Sequence, residues 1–160
     1  VKLDRAIREV QDAEADLAKE LRHLGERHAV EHDLYHLGLT LARQCAEHVE
    51  RLAPFAERYG VSQPRVDASP GLLDALRSTG ARLVGRSEAV GVLLLRDLRD
   101  LYLGAQEAEI AWVILAQAAQ ASRDRDLLQV TETCHQAAET RGKWLRTRIK
   151  VTAPQVLASG

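Results

Sequence analysis

The chain has 160 residues, enough for one packed domain and little more. Hydrophobic residues make up 46% and charged residues 28%, a balance that supports a buried core and excludes wholesale disorder. Lysine plus arginine number 22 against 23 acidic residues, so the net charge of -1 argues against binding nucleic acid by neutralising phosphates.

No apolar run approaches the ~18 residues that a membrane-spanning helix needs, so no membrane partner is expected. No basic-apolar-small leader opens the chain, and no secretory signal is expected. The chain begins at Val1 and contains no Met, so we expect residues ahead of Val1. Cys45 and Cys134 lie far apart and form no CxxC pair, which fits two reduced thiols in a cytoplasmic protein. Aromatic residues are only 4%, and nothing alternates with period two over a useful length, so helices are favoured over strands.

Residues 2–28 carry a stripe of Leu3, Ile7, Val10, Leu17, Leu21 and Leu24 at spacings of three and four, the mark of an amphipathic helix. A turn is expected at 28–32, with Asp33 as N-cap of a second helix over 33–59. Its stripe is Leu34, Leu37, Leu41, Leu52, Phe55 and Tyr59, it ends at Gly60, and Pro54 predicts a kink or a weak last turn. Residues 60–86 read as a crossover. They open on the linker Gly60-Val-Ser-Gln-Pro-Arg-Val-Asp-Ala-Ser-Pro-Gly71 and hold a short helix over Leu72–Val84. A third helix over 87–121 presents Leu94, Leu98, Leu101, Ala105, Trp112, Leu115 and Ala119. Ser122 or Asp124 can cap a fourth over 125–151, which is expected to end before Pro154. The fold predicted is all-α, an antiparallel four-helix bundle in one domain over 1–160.

Polar residues interrupt these stripes where apolar ones belong. At about 100° per residue, Glu14 lies on the axis of the first stripe and His48 on that of the second, with Cys45 one turn earlier on the same side. Glu109 falls close to Leu98 and Ala116 on the third. On the fourth, Glu132 and His135 flank an inward line through Leu128 and Ile149, and Glu139 follows one turn later. Glu132-Thr-Cys-His135 is a Glu-x-x-His spacing, and on a helix i and i+3 point the same way, so both groups can meet one metal ion. Cys45-Ala-Glu-His48 repeats the spacing with Cys in place of Glu. Burying these carboxylates without a counter-charge is costly, and a metal or a cation such as Arg146 beside Glu139 would offset that cost.

This arrangement resembles the ferritin-like superfamily, particularly the rubrerythrin-type di-iron carboxylate bundles, in which two helices give one Glu each and two give Glu-x-x-His. Leu98-Arg-Asp-Leu-Tyr102, Gln117-Ala-Ala-Gln120 and Trp144-Leu-Arg-Thr-Arg148 are similar to actinobacterial ferritin-like proteins of undefined role. The resemblance implies a metal set of Glu14, Cys45, His48, Glu109, Glu132 and His135 holding iron or manganese, with iron oxidation or oxygen or peroxide chemistry. Cys45 departs from the pattern at a bridging position. Glu14 lies about 16 residues from the first turn and Glu109 about 13 from the second, so the two meet at one level only if the crossover runs the bundle's length.

Three other readings follow from the residues. The same polar set can be a metal-free core in a non-catalytic scaffold or interaction protein. His28, His32 and His36 would line a surface stripe for Zn or Ni in one continuous helix, but the expected turn splits them. Cys134 is expected at a helix–helix boundary and inert, and Cys45 fits a small core residue better than a ligand. Trp144 is expected to point outward and Tyr59 to lie near a helix end, packing on the crossover or forming a homodimer contact. No phosphate loop, Gly-x-Ser-x-Gly elbow or Ser/His/Asp set is present, so hydrolase, kinase and dinucleotide readings have no motif.

Overall fold

The computed structural model describes residues 2–62 and 87–158. The short helix expected over 72–84 lies outside them. The described residues form four helices and no strand, as a helical bundle requires: α1 (Leu3–Arg27), α2 (His32–Arg58), α3 (Ser87–Ala121) and α4 (Arg125–Leu157). No helix among them is long and apolar enough to cross a membrane.

The stripes read from α1 and α3 are buried in full, from Leu3 to Leu24 and from Leu94 to Ala119. On α2, Leu34, Leu41, Leu52 and Phe55 are buried, while Leu37 and Tyr59 are only half-buried. α1 packs against α2 and α3, α3 against α4, and α2 against α4 most thinly. Gly25 and Gly38 bring α1 and α2 together: a Cβ on Gly38 would stand 2.6 Å from the Leu21 carbonyl oxygen, so only hydrogen fits there.

Each turn is held by a carboxylate that reaches another helix. After α1, His28 is buried and its Nε2 bonds Asp97 of α3 at 2.8 Å, beside a 2.8 Å contact from Arg27. Before α4, Asp124 accepts from the Leu127 amide at 3.1 Å and so caps the helix. Its second oxygen accepts from the Tyr59 hydroxyl and from Arg58, which ties the end of α2 to this turn. Gly60 closes α2 at φ +71°, where a residue without Cβ is favoured.

Two boundaries depart from the sequence reading. α2 starts at His32 with Glu31 before it, so Asp33 is not the N-cap but lies in the first turn, where it accepts from Arg148 of α4 at 2.9 Å. α4 runs through Pro154 to Leu157. Pro154 is exposed and one turn from the end, so the ring meets no packing and the bond lost is at a fraying terminus.

The core falls into two apolar clusters. One gathers Leu3, Ile7, Val10, Leu52, Phe55, Leu115, Leu127 and Ala138, and the other Leu17, Leu21, Leu34, Leu41, Leu98, Leu101 and Leu145. Along α1 the boundary falls between Val10 and Leu17, along α2 between Cys45 and Leu52, and along α4 between Ala138 and Leu145. Glu14, His48 and Arg141 occupy these gaps, so a polar layer lies at mid-height between two oily halves.

Candidate functional site

The polar layer centres on Glu14, whose side chain is fully buried. Arg141 of α4, also buried, meets it with two parallel bonds, Nη1 to Oε2 at 3.1 Å and Nη2 to Oε1 at 3.0 Å. Trp112 of α3 donates its indole N–H to Oε1 at 2.8 Å, and His48 of α2 places Nδ1 3.1 Å from the same oxygen. An ionised carboxylate only accepts, so that imidazole nitrogen carries the proton. The His48 ring stands edge-on to the indole, with centroids 5.7 Å apart at 88°. One carboxylate thus receives four donors from three other helices.

The charges follow from this geometry. Burial raises the pKa of Glu14, but the His48 bond and the Arg141 charge outweigh it and hold the carboxyl down at about 2. Burial alone would lower the pKa of Arg141, and the Glu14 charge more than reverses it. Cys45 touches the same guanidinium, with Nη1 3.3 Å from Sγ. Burial first, then the charge of Glu14, push its thiol well above the usual range, so it is a neutral acceptor. Cys134 is buried and raised to about 11, chiefly by burial, and is inert in the same way.

The sequence-predicted site residues separate into three places. Glu14, Cys45 and His48 come together around Arg141. Glu109 and His135 form a second, half-buried pair, with Nε2 of His135 3.6 Å from Oε1 and Gln106 donating to Oε2 at 3.2 Å. Glu132 is exposed on the outer face of α4. The inward line of α4 is Leu127, Thr131, Cys134, Ala138, Arg141 and Leu145, one residue earlier than the line through Leu128 and Ile149. One residue is a rotation of about 100°, which carries Glu132 out and Arg141 in. The same rotation exposes Arg146, which stacks on Tyr102 and bonds its hydroxyl, and leaves Glu139 beside Lys143 at 3.5 Å. Trp144, expected to face outward, is half-buried against the cluster of Leu17, Leu21 and Leu98. His28 and His32 fall on either side of the turn, as the split stripe requires.

The donor set does not fit a di-metal centre. Oε1 of Glu14 already accepts from three donors and Oε2 from one, which leaves only one lone-pair direction of Oε2 uncommitted. The guanidinium supplies, next to Glu14, the positive charge a metal would bring. Among the described residues no group of three or more His, Cys, Asp or Glu is placed to hold a metal ion. Sequence reasoning missed Arg141, Trp112 as a donor, and Gln11, which is fully buried with no partner for its amide among the described residues. The signal available for Arg141 was the small residues Ala138 and Gly142 beside it, which give a long side chain room to enter a seam. Compared with known proteins, the chain matches no family model, and no curated protein or solved structure matches it significantly.

Proposed function

We propose that this chain is a ferritin-like bundle that does no metal chemistry at its centre and serves as a helical scaffold or interaction module. The register of the packed pairs supports the topology. Glu14 faces His48 and Gly25 faces Gly38 across α1 and α2. Tyr102 faces Arg146 and Gly91 faces Val156 across α3 and α4. Asp97 meets His28 while Trp112 meets Glu14, and Asp33 meets Arg148 while Tyr59 meets the turn before α4. In every pair one number rises as the other falls, the sign of antiparallel neighbours. Each of α2 and α3 then runs opposite to α1, so they run parallel to each other, with the end of α2 and the start of α3 at opposite ends of the bundle.

The observation that carries the functional reading is the Arg141 fork on Glu14. It gives the buried carboxylate its counter-charge from within the chain, where the resemblance to di-iron bundles implied a metal. Such a pair does not need to be the most stabilising core; buried polar groups can instead specify one register among several, and that is the role assigned to it in this reading. Four donors converging from three helices fix the relative heights of all four.

Metal uptake tests this. Protein prepared without chelator is titrated anaerobically with Fe(II), and separately with Mn(II) and Zn(II), with calorimetry and thermal melting as readouts. The expected result is no stoichiometric binding and no metal-dependent rise in Tm. Stoichiometric binding that Glu14→Gln or His48→Ala abolishes overturns the reading.

A further inference from the structure

α3 is apolar on two sides. Its inner face fills both halves of the core, yet Val92, Leu103, Ile110 and Ile114 stand outside, each 49% to 56% exposed. At about 100° per residue, the other three lie within ~20° of Leu103, so all four form one straight line some 33 Å long at 1.5 Å per residue. α1 in contrast turns Asp12, Asp16 and Lys19 outward. A helix apolar on both sides fits a partner on both sides, and among the described residues the helices packed on α3, α1 and α4, lie on one side only.

The charges along the line say which partner. Arg99 lies one turn before Leu103 and Glu107 one turn after it. Both are exposed, and neither has an ion-pair partner among the described residues. Val92 and Ile114 lie eleven residues before and after the same centre. This pattern is self-complementary under a two-fold axis. When a second copy of α3 lies antiparallel with Leu103 against Leu103, each Arg99 comes level with Glu107 of the other copy, and each Val92 with Ile114. Arg96 then lays its aliphatic stem along Ile110 of the second copy with its guanidinium in water. A heterologous partner would not need the strip to read the same from both ends.

We infer that the outer face of α3 is a homodimer interface, two antiparallel α3 helices centred on Leu103 with Arg99 and Glu107 paired across the axis. The inference extends the interaction-module reading by naming the partner, but it stands apart from the metal-free core. Metal uptake would overturn that core and leave the dimer, and a strictly monomeric protein would do the reverse.

A single two-helix contact of this length falls at the small end of specific interfaces, so self-association is measured by sedimentation equilibrium up to about 500 µM. The expected result is a reversible dimer that Leu103→Glu reduces to monomer, with no loss of Tm at a dilution where the wild type is itself monomeric. Arg99→Glu and Glu107→Arg each place like charges across the axis and weaken dimerisation at least about tenfold, while the double variant restores it. Leu103→Cys gives a covalent dimer under mild oxidation, since the native thiols Cys45 and Cys134 are buried and do not compete. A wild-type chain that stays monomeric over this range, a dimer untouched by Leu103→Glu, a double variant no better than the singles, or a Leu103→Cys chain that does not cross-link overturns the proposal.

Discussion

Two glutamates expected to do the same work, Glu14 on α1 and Glu109 on α3, end in opposite circumstances. Glu14 is sealed in the core and receives four donors from three side chains that are themselves buried. Glu109 is at the edge of the bundle, 3.6 Å from a half-exposed His135 and bonded to one flexible Gln106. Depth decides the difference. A carboxylate without water must be met by protein on every lone pair, whereas one at the rim can leave the remainder to solvent. A buried charge cluster is therefore all-or-none and a rim pair is adjustable, and variants of the two should separate sharply.

The largest effect belongs to Arg141. Arg141→Ala removes two bonds and leaves Glu14 charged and buried, a loss of about 3–5 kcal/mol by the usual cost of breaking one side of a buried pair. Combining Glu14→Leu with Arg141→Met removes both charges at similar volume and should return most of that loss, or exceed wild type. Urea unfolding of the singles and the double checks this. A double variant as weak as Arg141→Ala would mean that the layer is held by packing around the guanidinium and not by its charge.

Acid should expose the same asymmetry. The carboxyl of Glu14 has a folded pKa of about 2 against an ordinary value of 4.5. A group with a depressed folded pKa contributes stability that is fully present above 4.5 and is lost as the pH falls through the window down to about 2. At about 1.36 kcal/mol per unit this is on the order of 3 kcal/mol, and Glu14→Gln should flatten that part of the stability–pH curve. A parallel curve for wild type and Glu14→Gln would place the acid sensitivity elsewhere.

How far this was legible in the sequence follows from the chemistry of each stripe. α1 has a long run of Leu, Ile and Val on one line, so its phase is plain and Glu14 was placed correctly on the inner axis. α4 presents Thr131, Cys134, Ala138 and Gly142 to the core, small residues that contrast weakly with their neighbours. Leu128 and Ile149, large and only half-buried at the edge of the seam, then outweigh them, and the phase slips by one residue. That slip exchanged Glu132 for Arg141, and with it a metal ligand for the cation that meets the carboxylate. The spacing Glu-x-x-His was real but faced the wrong way. Trp112 was read as bulk, since no sequence pattern says which indole N–H finds an acceptor.

Between the extremes stands Trp112→Phe. It keeps an aromatic ring in the cluster of Leu3, Ile7 and Leu115 but removes the 2.8 Å bond to Glu14 and opens a small gap where the indole nitrogen was. A hydrogen bond to a charged group contributes about 1.5–3 kcal/mol, so the expected loss is about 2 kcal/mol, below that of Arg141→Ala because three donors remain. The His48 ring loses its edge-on neighbour at the same time, so its imidazole resonances should broaden or shift in NMR spectra. A Tm equal to wild type would mean that the three remaining donors satisfy the carboxylate by themselves.

The smallest effect is expected at the rim. Glu109→Gln or His135→Ala should cost no more than about 1 kcal/mol, since a partly exposed pair at 3.6 Å is screened by water and salt and pays side-chain entropy to form. Gly142 makes the same point from the backbone. A Cβ there would meet the amide nitrogen of Gln106 at 2.8 Å, the far end of a side chain that can swing into solvent. Gly142→Ala should therefore be neutral or stabilising by up to about 1 kcal/mol through helix propensity. At Gly38 the same added methyl meets a backbone carbonyl that has nowhere to go, and Gly38→Ala should destabilise by about 1–3 kcal/mol. Equal costs at Gly142 and Gly38 would mean that the Glu109 edge is as rigid as the core, and the contrast between the two glutamates would then lie in charge alone.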